Sequence, residues 1–340
     1  MKAALLSAYH SPLELVERPE PEPAGARDVV VRIAGAGVCA TDLHAIEGLM
    51  DAVGVTLPLV LGHENAGFVH AVGPDVTAAA VGDAVLVYPP YSCGLCVSCR
   101  RGLDMHCDRH QFTGLTRDGG FAEYVLVDER SLLRLPDGVD PAEVAPHADA
   151  GITAYHAVKK LLPRLGPGST AALIGVGGVG HIALQLVKLL GGAKVIAVET
   201  DDRRQRLARE LGADEVIGGG PGVVDSVRQA TNGRGPDVVF DFVGSDSTHT
   251  ASLEMLARRG VYSVVGYGGA IGVPSVALIA EETTIAGNLV GSWIDLWELV
   301  QLHASGRLTL KTERHRLDDV NEVLGALREG EITGRAVLIP

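Results

Sequence analysis

Positive charge is what this sequence has little of. Its 29 Lys and Arg residues stand against 42 Asp and Glu residues, which gives a formal net charge of -13, and no basic run interrupts that balance. Nucleic acid is therefore not expected as a partner. A signal-peptide core is also absent, because His10, Pro12, Glu14 and Glu17 break the first apolar patch. We therefore expect a cytoplasmic protein.

Long apolar runs are equally scarce. One uncharged run, residues 166–187, is long enough to cross a bilayer. Its internal GVGGVG is instead typical of a buried strand, a tight turn and a helix, because a membrane span contains few helix breakers. A membrane is therefore not expected as a partner either.

Chain length and residue pattern predict an α/β protein with two domains. The chain has 340 residues, 46% of them hydrophobic, which is enough for a sizeable core in each domain. Residues 1–147 are typical of short strands separated by Gly and Pro. From about Ser169 apolar strands alternate with amphipathic helices, which predicts a doubly wound parallel sheet within residues 148–287. Residues 288–340 contain one amphipathic helix near residues 318–328 and a terminal strand, and should pack on the first domain.

The segment LIGVGGVGHIALQLV predicts a dinucleotide-binding turn. Gly175, Gly177 and Gly180 lie between an apolar strand and a helix, together with Gly178 and Val179. The three glycines would permit a tight turn, the approach of backbone N–H groups to a pyrophosphate, and close packing of helix on strand. A merely flexible turn is the alternative, because a triple-glycine match is weak by itself.

Glu199 decides which cofactor is expected. It ends the next strand, 19 residues beyond Gly180. A carboxylate there accepts hydrogen bonds from ribose hydroxyls and repels a 2'-phosphate, so NAD is favoured over NADP. Arg203 and Arg204 follow closely and leave NADP open. A solvated strand end is the alternative for Glu199.

The five cysteines indicate metal sites. An odd number without an export signal favours metal binding or catalysis over a disulfide framework. Four of them, within residues 93–107, are enough for a closed, structural zinc site: Cys93, Cys96, Cys99 and Cys107. Two disulfides in this loop are the alternative. Cys39 and His63 are candidates for an open zinc site, although a lone Cys or His more often packs in a core.

The segment GHENAGFVHAVGPDV resembles the signature of the zinc-dependent alcohol dehydrogenases of the medium-chain dehydrogenase/reductase superfamily. The fixed positions that match are Gly62, His63, Glu64, Gly67, Gly73 and Val76. The resemblance covers the whole chain, from the β-rich domain through the cysteine lobe to the terminal GRAVLIP. It implies a GroES-like catalytic domain, a Rossmann cofactor domain and two zinc ions per chain. The implied reaction is hydride transfer from a primary or secondary alcohol to NAD.

The resemblance also implies which residues bind the catalytic zinc. Cys39 and His63 would be joined by Asp149, at a position where the family usually has Cys and sometimes Asp. A carboxylate is a normal zinc ligand, although it makes the site harder than a second thiolate does. His147, two residues away, is the alternative third ligand, because imidazole binds zinc equally well.

Neighbours of these ligands have implied roles as well. Asp42 would orient His63 through its other ring N–H, and Glu64 would lie behind the metal. Thr41 would take the proton from the alcohol and pass it through the nicotinamide ribose to His44 at the surface. Considered alone, Thr41 is more typical of a helix N-cap.

The remaining implied contacts surround the cofactor and the substrate. Predicted cofactor contacts are Thr153, Val243, Val265, Leu289 and, at the pyrophosphate, Arg335. Predicted walls of the substrate pocket are Leu43, Leu57 and Trp293, which suggests a medium-sized apolar alcohol or ketone. The chain lacks the long insertions of dimeric members and resembles the bacterial tetramers, so we expect a homotetramer, with a dimer as the alternative.

Three other functions compete with this interpretation. A zinc-free quinone or enoyl reductase has the same fold but lacks Cys39, His63 and the cysteine lobe. A polyol or threonine dehydrogenase typically has a Glu-Pro pair where this chain has Asp149 and Ala150. A non-catalytic protein has no need to keep metal ligands, proton-transfer residues and cofactor contacts together, as this chain does. The sequence leaves the substrate and its stereochemistry open.

Overall fold

The computed structural model describes residues 1–50 and 53–340, which divide into two units. The first unit comprises Met1–Ile152 and Ser292–Pro340, and the second comprises Thr153–Gly291. The last segment of the chain therefore belongs with the first 152 residues. Among the described residues, no helix has the length and apolar character needed to cross a membrane.

The strands are β1 (Lys2–Leu6), β2 (Glu14–Glu17), β3 (Asp28–Gly37), β4 (Leu59–Val60), β5 (Glu64–Val72), β6 (Ala84–Val87), β7 (Pro90–Tyr91), β8 (Gln111–Phe112), β9 (Tyr124–Asp128), β10 (Leu132–Arg134), β11 (Thr170–Ile174), β12 (Lys194–Glu199), β13 (Glu215–Gly218), β14 (Val238–Asp241), β15 (Val261–Val264), β16 (Thr284–Gly287), β17 (Thr312–Arg316) and β18 (Arg335–Ile339). The helices are α1 (Ala40–Ile46), α2 (Val97–Arg100), α3 (Pro141–Val144), α4 (Ala150–Leu161), α5 (Gly180–Leu190), α6 (Asp202–Glu210), α7 (Val223–Ala230), α8 (Asp246–Met255), α9 (Ser275–Glu281), α10 (Trp293–Ala304) and α11 (Val320–Arg328).

The first unit is built on a largely antiparallel sheet, as the β-rich pattern predicts. Its order is β10-β6-β5-β3-β18-β17, with β9 also paired to β3. The register places Gly37, at the end of β3, opposite both Glu64 at the start of β5 and Val337 in β18. Three strands from distant parts of the chain therefore meet at one place.

The second unit contains a parallel sheet of six strands in the order β13-β12-β11-β14-β15-β16. This confirms the predicted doubly wound, Rossmann-like domain. The strands are apolar along their length because helices cover both faces, with Ala172, Ile196 and Val239 fully buried. The strand order reverses between β11 and β14, and ligands of such sheets bind outside the carboxyl ends of the strands at this point.

Helix α10 was missed in the sequence analysis, which predicted a single helix in residues 288–340. Its start carries a capping box: the Ser292 Oγ accepts from the Asp295 N–H at 3.3 Å, and the Asp295 carboxylate accepts from the Ser292 N–H at 2.9 Å. The S-x-x-D pattern is a recognised start signal and was present in the sequence. The predicted helix near residues 318–328 is present as α11.

Candidate metal and cofactor sites

Cys39, His63 and Asp149 converge in the first unit. Cys39 is the N-cap of α1, two residues after the end of β3, His63 immediately precedes β5, and Asp149 follows a turn of 3-10 helix. The Asp149 Oδ2 lies 3.6 Å from the Cys39 Sγ and 3.5 Å from the His63 Nε2. The three ligand atoms lie within 4.8 Å of one another.

This arrangement fits a zinc ion. Tetrahedral bonds of about 2.0–2.3 Å place neighbouring ligand atoms about 3.3–3.8 Å apart. The measured separations from Asp149 fall in that range. Cys39 and His63 are buried and Asp149 is partly exposed, so three ligands face one another with access on one side. Three ligands with an open position characterise a catalytic zinc site.

Asp42 supports two of these residues at once. Its Oδ2 accepts from the Cys39 N–H at 2.9 Å, and its Oδ1 lies 3.2 Å from the His63 Nδ1. The other ring nitrogen of His63 therefore faces Asp149. Burial opposes a charge on His63, but Asp42 and Asp149 raise its pKa well above the ordinary value. The site is thus electronegative and attracts a cation.

Glu64 lies behind the cluster and is paired with the positively charged Arg335. Its Oε1 accepts from the Ala150 N–H at 3.0 Å and from Arg335, and both residues are buried. Burial raises the pKa of Glu64 to about 7 even though Arg335 opposes the shift. A Cβ on Gly37 would lie 1.9 Å from the Glu64 Oε2, so only glycine leaves room there.

Arg335 has a buried partner within the first unit. The structure buries it to 4% exposure and pairs it with Glu64, and the pyrophosphate contact that the resemblance assigns to it stays a prediction. A guanidinium with a buried carboxylate partner already has its charge compensated. The arrangement therefore favours Arg335 as a support of the metal site.

His147 contacts His303 rather than the metal cluster. Its Nε2 lies 3.2 Å from the His303 Nδ1 of α10, and the two rings pack edge to face. The group that the structure assembles for a metal contains Asp149 and not His147. The geometry therefore favours Asp149 as the third ligand.

Thr41 and His44 lie on α1, next to the metal cluster. The Thr41 Oγ1 is 3.7 Å from the Cys39 Sγ. The N-cap alternative for Thr41 is wrong, because Cys39 occupies the N-cap of α1. His44 follows one turn later and is half-buried.

The cysteine lobe brings four thiols together. The Cys96 and Cys99 sulfurs are 3.4 Å apart and those of Cys93 and Cys99 are 4.0 Å apart, and no disulfide joins them. The Cys93 N–H lies 3.3 Å from the Cys107 sulfur. Backbone N–H groups, first that of Leu95, lower the pKa of Cys93 to about 6, which favours the thiolate that zinc binds. The lobe thus fits the closed zinc site better than two disulfides.

The predicted dinucleotide turn lies between β11 and α5. Gly175 has a φ of +86°, in the region that favours glycine, and a Cβ on Gly180 would lie 1.9 Å from the Gly175 carbonyl oxygen. Val179 is the N-cap of α5. The fully buried His181, which we did not predict, donates from Nδ1 to the Gly177 carbonyl at 2.9 Å and so supports the turn.

Glu199 ends β12 beside this turn. It is 5% exposed, which rules out a solvated strand end. Its Oε2 accepts from the Val176 N–H at 2.8 Å, and its Oε1 accepts from the N–H groups of Thr200 and Asp201 at 2.8 and 3.1 Å. The Thr200 hydroxyl also lies 3.3 Å from Oε1, so Oε2, which has two lone pairs and accepts from the Val176 N–H, is the oxygen with room for a ribose hydroxyl.

Arg203 and Arg204 lie next to Asp201, which caps α6. The Arg203 Nη2 is 3.1 Å and the Arg204 Nε is 4.0 Å from this carboxylate. The hydrogen bond from Arg203 contributes most to lowering the pKa of Asp201, to about 2. A Cβ on Gly177 would lie 3.8 Å from the Arg204 Nη1, so one of these cations is near the glycine turn.

The other predicted cofactor contacts are spread along the second unit. Val243 and Leu289 are about half exposed, beyond the carboxyl ends of β14 and β16. Val265 follows β15, and Thr153 is half-buried in α4. Asp241, at the end of β14, was not predicted, although an acidic residue ending a strand is the same signal that identified Glu199.

The predicted substrate residues do not form one group. Leu43 is buried in the core of the first unit, and Leu57 packs against that core. Trp293 donates from its indole nitrogen to the Leu132 carbonyl at 3.2 Å and lines a cavity of about 320 Å³ together with Tyr88 and Asp104. Trp293 thus lies beside Leu132 and Asp104, apart from Leu43 and Leu57, and its place in a substrate pocket stays a prediction.

A β-rich unit with a cluster that fits a metal ion, joined to a unit with a dinucleotide turn, is typical of metal-dependent oxidoreductases. The chain matches the model of the alcohol dehydrogenase GroES-like domain over residues 25–137 and that of the zinc-binding dehydrogenase over residues 178–305. A crystal structure of the alcohol dehydrogenase of Aeropyrum pernix is 44% identical, with a TM-score of 0.97 and full coverage of both chains.

Two relatives are similar in sequence over their whole length. The NAD-dependent alcohol dehydrogenase of Sulfurisphaera tokodaii is 34% identical over 350 residues, which covers both chains fully. The D-arabinose 1-dehydrogenase (NADP+) of Saccharolobus solfataricus is 34% identical over 347 residues, which covers 100% of this chain and 97% of the other. The chain belongs to the zinc-type alcohol dehydrogenases of the medium-chain dehydrogenase/reductase superfamily, and is an oxidoreductase.

Proposed function

We propose that this protein is a zinc-dependent alcohol dehydrogenase that passes hydride reversibly between an alcohol carbon and NAD. The convergence of Cys39, His63 and Asp149 at the spacing of a tetrahedral shell carries the proposal. Zinc held there acts as a Lewis acid on the oxygen of the alcohol or carbonyl.

The residues around the ligands complete the site. Asp42 fixes the ring of His63, and the Arg335–Glu64 pair fixes the backbone that follows Asp149. We assign to the Thr41 hydroxyl the acceptance of the alcohol proton, since it lies beside the Cys39 sulfur. His44, one turn later on the same helix, is the group that releases this proton to water.

The residues of the second unit supply the cofactor site. The turn from Gly175 to Gly180 and the amino end of α5 suit a pyrophosphate, because backbone N–H groups and the helix dipole favour negative charge. Glu199 suits the hydroxyls of an unphosphorylated adenosine ribose. Loops with Val243 and Val265 suit the nicotinamide ring.

The substrate is an alcohol or ketone of medium size and apolar character, with Leu43 and Leu57 as the candidate walls. The assembly we propose is a homotetramer, since the chain lacks the long insertions of dimeric members. A sugar substrate with NADP is the second candidate, because one full-length relative carries that activity in its name.

The activity is tested by following NADH absorbance with a panel of primary and secondary alcohols. We expect NAD reduction with apolar alcohols and its loss after a chelator removes zinc, because the substrate oxygen then has no Lewis acid. Zinc-loaded protein that reduces neither NAD with any alcohol nor NADP with sugars would contradict both candidate functions. Activity confined to sugars and NADP would select the second.

Four of the five cysteines belong to the closed site and Cys39 belongs to the open site, so we predict two zinc ions per chain. Cys96→Ser should leave one zinc and lower the melting temperature by at least about 5 °C, because a closed zinc site contributes folding energy. Cys39→Ser, the matched control, should also leave one zinc but lose activity with less effect on melting. Elemental analysis, thermal melting and the activity of the folded fraction measure these effects. A single zinc in the unchanged protein would contradict this assignment of the cysteines to two sites. Loss of activity in Cys96→Ser together with a lower melting temperature in Cys39→Ser would contradict it as well.

A further inference from the structure

A buried group of three polar side chains lies beneath the cofactor side of the second unit. It joins Asp241 of β14, Tyr262 of β15 and His249 of α8, which are 0%, 0% and 3% exposed. The Tyr262 hydroxyl is 2.5 Å from the His249 Nδ1 and 3.0 Å from the Asp241 Oδ2. The His249 Nε2 is 2.9 Å from the Gly268 carbonyl oxygen. None of these residues entered the proposed mechanism.

Asp241 holds two turns in place. Its Oδ1 accepts from the N–H groups of Val243 and Gly244 at 2.9 and 3.0 Å. Its backbone oxygen accepts from the N–H groups of Val265 and Gly266 at 3.0 and 2.9 Å. The turns that carry Val243 and Val265 are therefore fixed by one residue at the carboxyl end of β14.

Residues of helix α8 also hold the segment that follows the turn with Val265. The Gly268 carbonyl is held by the His249 ring, and the Ala270 N–H donates to the Asp246 carboxylate at 2.7 Å. The segment from Val265 to Ala270 is thus tied both to the end of β14 and to α8. Within this group of three, His249 is the side chain that reaches both Tyr262 and the Gly268 carbonyl.

The hydrogen bonds around His249 fix the orientation of its ring. The Gly268 carbonyl accepts only, so the His249 Nε2 donates to it. The Tyr262 hydroxyl joins the His249 Nδ1 to the Asp241 Oδ2, so the ring is held at both of its nitrogens.

Tyr262 is the hydroxyl that connects the other two side chains. Burial, together with the charge of Asp241, raises the pKa of Tyr262, so the phenol keeps its proton and can donate it. The Asp241 Oδ1 accepts two backbone N–H bonds, and its Oδ2 faces the Tyr262 hydroxyl.

We propose that His249, linked through Tyr262 to Asp241, is a positioning residue that fixes the two loops of the nicotinamide end of the cofactor site. The inference rests on the proposed use of NAD by the loops with Val243 and Val265. His249 acts only through the backbone of these loops.

The test compares cofactor binding by three variants of the zinc-loaded enzyme. Tyr262→Phe and His249→Phe break the link, and His249→Gln keeps an amide donor for the Gly268 carbonyl. We expect the two Phe variants to bind NAD about tenfold more weakly, with kcat changed much less, and His249→Gln to regain part of the affinity. ADP-ribose, which lacks the nicotinamide, should lose much less affinity than NAD.

Val261→Ala is the matched control, because it lies at the amino end of β15 and removes buried apolar volume without touching the link. It should lower the melting temperature but leave the NAD affinity unchanged. NMR of the histidine rings in the unchanged enzyme should show a slowly exchanging proton on the His249 Nε2, because this atom donates to the Gly268 carbonyl, and this test does not depend on the folding of a variant.

The outcomes separate this inference from the proposed function. Unchanged enzyme that binds no NAD would reject the proposed function. NAD binding that is equal in unchanged enzyme and folded Phe variants, equal losses for NAD and ADP-ribose, or a His249 Nε2 without a proton would each overturn the positioning role of His249.

Discussion

Asp149→Asn should lower kcat/KM for alcohol oxidation by at least about a hundredfold, since even the outer partners of metal ligands are worth about 10- to 100-fold. Asn keeps the size of the side chain but removes its charge, and the Asp149 Oδ2 is the atom that faces both Cys39 and His63. Elemental analysis should show a fall from two zinc ions per chain to about one, because the cysteine lobe keeps its own.

His147→Asn is the matched control for this change, two residues away in the same turn. Its ring contacts His303, so the variant should keep both zinc ions and most of the activity. The opposite ranking, with zinc and activity lost in His147→Asn and kept in Asp149→Asn, would transfer the ligand role to His147.

Glu199 should give the enzyme at least about a hundredfold preference in kcat/KM for NAD over NADP, since charge repulsion and lost hydrogen bonds together cost about 3 kcal/mol. Glu199→Ser should lose NAD efficiency and gain NADP efficiency. The structure adds a second effect, because the N–H groups of Val176 and Thr200 lose their acceptor in this variant. Thermal melting measures that effect separately from kinetics with the two cofactors.

Two further variants sharpen the cofactor test. Glu199→Gln keeps one acceptor oxygen and the side-chain length but removes the negative charge and turns an NH2 toward a backbone N–H group, so it should lose the discrimination and part of the NAD efficiency, with a smaller loss of NAD efficiency than in Glu199→Ser. Asp201→Asn keeps the cap of α6 while releasing Arg203 and Arg204 from their carboxylate. Added to Glu199→Ser, it should increase NADP efficiency further. Unchanged enzyme that uses both cofactors equally well would contradict the role of Glu199.

The features predicted from sequence were those encoded in short segments. The glycine turn, the clustered cysteines and the alternating strands each fall within a few residues or repeat regularly, so spacing alone describes them. Even α10 had such a signal in Ser292 and Asp295, which was overlooked. The similarity to a family supplied the third ligand, because nothing in the local sequence relates Asp149 to Cys39.

Features that depend on strand register could not be read from the sequence. Arg335 and Glu64 are 271 residues apart and meet because β18 pairs with β3 and β3 pairs with β5. Likewise, Asp241, His249 and Tyr262 come from two strands and a helix, and no spacing rule brings them together. A single sequence shows which side chains are titratable but not which ones face each other.

The position of β18 in the sheet also imposes an order on biosynthesis. A ribosome releases β3, β5 and all three predicted zinc ligands long before it reaches Arg335, near the end of the chain. Until that residue is made, the Glu64 carboxylate lacks its arginine partner, so its burial is less favourable. The support that Arg335 gives the metal site thus becomes available only after the whole second unit has been synthesised and β18 can pair between β3 and β17.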